Sequence, residues 1–91
     1  MITVKYYANL RQITGMKEDS MDYEEATVGE VVDSLCHRYG EPFRKLMLED
    51  GKLRGNVIIL INGVNVIFGK GLQEVIKSGD SVDIFPPVAG G

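Results

Sequence analysis

The sequence predicts an α+β fold, a mixed β-sheet with one main helix packed across one face. Three observations carry this expectation. Apolar residues alternate with polar ones near both ends of the chain, at Ile2, Val4, Tyr6 and again at Val82 and Ile84. A single long stretch between them has helical spacing. A continuous, β-branched run at residues 57–61 has the length of a strand and not of a helix.

Taken in order, Ile2, Val4 and Tyr6 form the inward face of a first strand, with Thr3, Lys5 and Tyr7 outward. Residues 8–14 are a short connection with room for one helical turn, closed by Gly15. Residues 16–24 supply a hairpin partner strand. Thr27-Val28-Gly29-Glu30 reads as a capping box, in which Thr27 accepts from the Glu30 amide and Glu30 reaches back. Val28, Val31, Val32, Leu35, Cys36 and Tyr39 then make one helical stripe. Gly40 stands where a helix stops, with Pro42 beyond.

Residues 43–48 allow a second short helical turn, and residues 49–52 a turn. The strand at residues 56–61 meets Asn62-Gly63, a tight hairpin signal. Residues 64–68 return as a strand, residues 69–77 are a loop or single turn, and residues 78–80 turn into the last strand, residues 81–85. The order β-β-α-β-β-β with one long helix is that of the β-grasp, or ubiquitin-like roll, whose first and last strands lie parallel at the sheet centre. Residues 1–91 are expected to form one such domain, with a flexible tail at residues 87–91.

Ninety-one residues, 44% of them apolar and 25% charged, suit one ordinary globular unit. No run reaches the roughly 18–20 apolar residues that span a bilayer, and the start does not resemble a signal peptide. A cytoplasmic protein without membrane contact is expected. The single cysteine, Cys36, excludes an internal disulfide; it reads as a small buried hydrophobe or, alternatively, a sulfur-transfer nucleophile. With one histidine, His37, next to it, no four-ligand protein zinc site is expected. Net charge is −3, and residues 18–33 hold seven acids and no base. That excludes a nucleic-acid footprint. The acids either steer docking to a basic partner or form a solvated face.

The sequence closes Phe85-Pro86-Pro87-Val88-Ala89-Gly90-Gly91. Two prolines stop both helix and sheet pairing. The four residues beyond Pro87 reach roughly 13–14 Å when extended. Such a tail enters a narrow slot and presents the Gly91 carboxylate, unhindered by a Cβ, to an activating nucleotide. The alternative is a frayed terminus. Register puts Tyr7 and Phe85 on the outward face beside this tail, with alternate apolar residues of the 57–61 strand. That face is a docking surface or a set of scattered aromatics. The chain has no phosphate-binding loop: Gly69-Lys70-Gly71 leads into Leu72-Gln73-Glu74. Nor does it offer a Ser/His/Asp set. It is therefore expected to be a carrier or substrate and not a free-standing enzyme.

The segment from Gly79-Asp80 through an apolar strand into Phe85-Pro86-Pro87-Val88-Ala89-Gly90-Gly91 resembles the MoaD/ThiS family of ubiquitin-like sulfur carriers. The residues Val4-Lys5-Tyr6-Tyr7-Ala8, Leu10-Arg11 and Ala26-Thr27-Val28-Gly29-Glu30 support it, so the resemblance covers nearly the whole chain. It implies that an E1-like enzyme, using ATP and Mg²⁺, adenylates Gly91, and that a thiocarboxylate follows. The chain itself binds no cofactor or metal on this reading. In the MoaD branch the carrier is the small subunit of molybdopterin synthase, forms a heterotetramer with the large subunit, and donates sulfur to the molybdenum or tungsten cofactor precursor. By the same resemblance Val88, Ala89 and Gly90 thread the partner channel, Pro86 and Pro87 are partner-binding, and Tyr7 and Phe85 match aromatic contact positions. Phenylalanine is more usual at the position of Tyr7. The run at residues 57–63 also resembles archaeal small modifiers, which join their terminal glycine to target lysines. A non-catalytic β-grasp interaction module is a third reading.

Overall fold

The first and last strands do meet at the centre of the sheet. The computed structural model describes residues 1–87. β1 (Ile2–Tyr6) lies parallel to β9 (Ser81–Phe85), with Val4 opposite Val82 and Tyr6 opposite Ile84. β2 (Glu18–Met21) pairs antiparallel on the other side of β1. β6 (Ile58–Ile61) pairs antiparallel with β9, and β7 (Val64–Asn65) closes the far edge, giving the order β2-β1-β9-β6-β7. Asn62 and Gly63 take positive φ of 49° and 87°, the two left-handed positions that a tight hairpin turn needs.

One face of this sheet is covered by α2 (Val28–Tyr39), the one long helix. Its capping box is complete: the Glu30 amide donates to Thr27 Oγ1 at 3.1 Å, and the Thr27 amide donates to Glu30 Oε1 at 2.9 Å. Gly40, at φ 79°, ends the helix and donates its N–H to the Cys36 carbonyl. The stripe Val28, Val31, Val32, Leu35 and Cys36 is buried against Ile2, Val4, Tyr6, Ile59, Val82 and Ile84. Gly29, in the first turn, has a packing reason: a Cβ there would stand 3.2 Å from the Leu72 carbonyl oxygen.

The remaining elements are short. α1 (Leu10–Thr14) fills the first connection, and α3 (Glu41–Met47) follows Gly40 with Phe43 and Met47 in the core. Three expectations are corrected. The expected turn at residues 49–52 is flanked by a small antiparallel pair, β4 (Leu48–Glu49) and β5 (Lys52–Leu53). The return strand stops at Asn65, whose side chain accepts from the Ile67 amide and winds Val66–Phe68 into a 3₁₀ turn. Residues 69–77 are not simply loop: after a second 3₁₀ turn (Gly71–Gln73), β8 (Val75–Lys77) pairs with β3 (Glu25–Thr27). Ala26 and Ile76 in this pair are buried, so the pair roofs the core beside the start of α2. Among the described residues no helix is long and apolar enough to cross a membrane.

Candidate functional site: the sheet face at the root of the tail

The outward face of β9 ends in an aromatic stack. Tyr7, just past β1, and Phe85, at the end of β9, lie ring on ring, centroids 4.2 Å apart and planes 14° from parallel. The parallel pairing sets this up. Lys5 and Asp83 are opposite each other on the outward face, so the next outward residues, Tyr7 and Phe85, are also neighbours. The Tyr7 hydroxyl donates to Asp83 Oδ1 at 3.0 Å, a bond that holds its phenol above the ordinary tyrosine range. On the far side of the ring the Arg11 guanidinium carbon is 5.4 Å from the Tyr7 centroid, while Arg11 Nε donates to the Tyr6 carbonyl at 2.8 Å. Ala8 takes a left-handed φ of 54° between them, which turns the chain from strand into α1.

The neighbouring strand continues the surface. Ile58 sits opposite Phe85 and is 43% exposed, and Leu60, opposite Asp83, is half-buried on the same side. An apolar strip thus runs from Tyr7 across Phe85 to Ile58. It lies on the sheet face that α2 leaves open. Both aromatics are half-buried, and each hides part of the other from water.

Pro86 and Pro87, both expected as partner contacts, are buried and half-buried respectively. Pro86 pins the root of the tail to the domain. Val88, Ala89, Gly90 and Gly91, expected to carry the reactive carboxylate and thread a channel, lie outside the described residues. The flexible tail expected at residues 87–91 falls there too, apart from Pro87.

Cys36 is buried in the core with its thiol pushed up by burial, and it serves as a hydrophobe and not as a nucleophile. His37 is exposed on the other side of α2, where its Nδ1 lies 3.0 Å from the Asp33 carbonyl oxygen. Among the described residues no cluster of His, Cys, Asp or Glu is placed to hold a metal ion.

Asp19 does not belong to the acidic surface expected of residues 18–33. It is 7% exposed and points inward from β2. Tyr6 and Tyr39 both donate their hydroxyls to its Oδ2, at 2.6 and 2.5 Å, and Arg38 Nη1 stands 3.6 Å from Oδ1. Burial first, then the bond to Asp19, pushes the phenols of Tyr6 and Tyr39 up. The signal was present in the sequence: period two puts Asp19 with Met21, inward, and not with Glu18 and Ser20.

The chain as a whole has close parallels. Residues 4–91 match the model of the ThiS family. The chain belongs to that family. It is 34% identical over 91 residues to small archaeal modifier protein 3 of Haloferax volcanii, covering 99% of this chain and 98% of that one. It is 31% identical to the molybdopterin synthase sulfur carrier subunit of Haemophilus influenzae, over all of both chains. Its fold superposes with a TM-score of 0.84, at 32% identity and over the full length of both chains, on a chain of the Amycolatopsis orientalis BexX/CysO complex. The ThiS family thus groups sulfur carriers with ubiquitin-like small modifiers, and this chain has their β-grasp fold.

Proposed function

We propose that this ThiS-family chain carries sulfur as a thiocarboxylate at Gly91. A carboxylate oxygen of Gly91 attacks the α-phosphate of ATP bound to an E1-like enzyme, and pyrophosphate leaves. A sulfur nucleophile then attacks the acyl carbon and AMP leaves. ATP and Mg²⁺ belong to the activating enzyme. The acceptor on this reading is a molybdopterin precursor held by the large subunit of a molybdopterin synthase. The closing Phe85-Pro86-Pro87-Val88-Ala89-Gly90-Gly91 supports that assignment, as does full-length similarity to a subunit of that name.

The observation that carries the proposal is the Tyr7–Phe85 stack on the open sheet face, at the point where β9 hands the chain to Pro86. An apolar surface and a tail sharing one root give a partner a grip beside the group it modifies. Deleting Gly91 abolishes adenylation, read as ATP–pyrophosphate exchange with the E1-like enzyme of the same cell, and leaves the thermal transition in place. Phe85→Ala weakens binding to that enzyme or to the large subunit by about 1–3 kcal/mol, as for a buried interfacial aromatic. Adenylation without Gly91 would overturn the proposal.

A second reading is favoured by the similarity to small archaeal modifier protein 3. There the same adenylate ends in an isopeptide bond to a lysine of a target protein. A denaturing pull-down of tagged chain separates the two. Sulfur transfer gives free chain about 16 Da heavier at its terminus, where sulfur has replaced oxygen. Conjugation gives a ladder that survives thiol reagents.

A further inference from the structure

The most exposed large apolar side chains of the described residues are not on the docking face. They are Phe68, 85% exposed, and Ile67, 68% exposed, in the 3₁₀ turn after β7. Ile67 forms one wall of a groove of about 350 Å³ between residues 52–57 and residues 65–73. Val57, Val66 and Leu72 contribute its apolar lining. That volume falls at the lower end of the range for clefts that hold a ligand or a few side chains.

The charges around this groove run against the rest of the molecule. The chain carries a net −3, yet among the described residues the groove is lined by Lys52, Arg54 and Lys70 and by no carboxylate. Arg54 is fixed in place. Its Nε donates to the Lys45 carbonyl at 2.7 Å, and its Nη1 stands 3.9 Å from Glu49 Oε2. Lys52 and Lys70 are exposed and form no ion pair among the described residues. An apolar pocket with cations at its mouth favours a chain segment that places one or two aliphatic side chains among carboxylates.

The position adds a constraint. Val57 immediately precedes Ile58, which pairs with Phe85, so the groove lies at the end of the sheet from which the tail departs. We propose that the groove receives an acidic, leucine-bearing segment of the protein that takes up the tail, a second handle separate from the Tyr7–Phe85 face. The inference rests on the carrier reading above for the identity of that protein. A second copy of this chain is the other candidate occupant, and the self-dilution control below detects it.

The test is a ¹⁵N NMR titration of the full chain with three peptides, Ac-EDELLDDE-amide, Ac-EDESSDDE-amide and Ac-KRKLLRRK-amide. The first is expected to shift the amides of Val57, Ile67 and Lys70. The serine peptide binds about tenfold more weakly, and the basic one does not bind. The double variant Lys52→Glu/Lys70→Glu and the exposed-wall variant Ile67→Ser each weaken the first peptide about tenfold, while deleting Gly91 has no effect. With the E1-like enzyme, the double variant raises KM about tenfold at unchanged kcat. Equal binding of the serine or basic peptide would overturn the proposal, as would shifts confined to Tyr7 and Phe85 or appearing on self-dilution without peptide. Absence of any adenylation would count against the carrier reading alone, because the peptide titration does not use the carboxyl terminus.

Discussion

At the scale of single residues, Asp19 is the centre of a buried polar cluster. A buried carboxylate is costly unless its oxygens are bonded, and here two phenols and a guanidinium surround it. Replacing it leaves the buried Tyr6 hydroxyl without its acceptor and takes the carboxylate partner from the half-buried Tyr39 hydroxyl. Asp19→Ala is therefore expected to destabilise the chain by about 1.5–3 kcal/mol, the range for hydrogen bonds to a charged group. Chemical denaturation measures it, and Tyr39→Phe, which removes one donor only, should cost less. Tyr7 supplies a pH test on the open sheet face. Its folded pKa lies above the ordinary value because it donates to Asp83. The stability it contributes is then complete below the unfolded tyrosine pKa, near 10, and is lost as pH rises through the higher folded value. Following the Tyr7 ring by NMR should show late titration, moved back toward 10 in Asp83→Asn.

At the scale of elements, what the sequence reveals depends on length and on distance along the chain. The long helix was legible because its cap, its stripe and its stop all lie within one segment, residues 27–40. Thr27→Ala removes the acceptor for the Glu30 amide and is expected to cost about 0.5–2 kcal/mol in thermal or urea unfolding. The five strands of the main sheet were legible because each has alternation, a β-branched run or a turn signal of its own. The β3–β8 pair was not. Each partner has three residues, too few to show a period, and they pair across about half the chain. The exposed groove was hidden for a related reason. The apolar run at residues 64–68 reads as a strand, and only the Asn65 side chain, accepting from the Ile67 amide, bends it into the turn that bares Ile67 and Phe68. On the site, Tyr7 and Phe85 followed from register alone, whereas Asp19 was lost in a run of surface acids.

At the scale of the whole molecule, the strand nearest the tail is also the centre of the sheet. β9 pairs on both sides and carries Val82 and Ile84 into the core. A chain cut before Ser81 is expected to show no cooperative unfolding transition and no dispersed amide spectrum, whereas one cut after Pro87 should keep both. Circular dichroism and NMR distinguish these outcomes.

The parallel pairing of β1 with β9 means that the centre of the sheet closes only once the chain has been made through Phe85. β1 finds its central neighbour only after the residues between them have been made, and pairings so distant along the chain form more slowly than local ones. A nascent chain that stalls early, or a product clipped ahead of the last strand, has no assembled sheet and displays no Tyr7–Phe85 stack. A partner that recognised that stack would meet only molecules made through to Phe85. Incomplete copies, lacking that strand pairing, are left open to proteases.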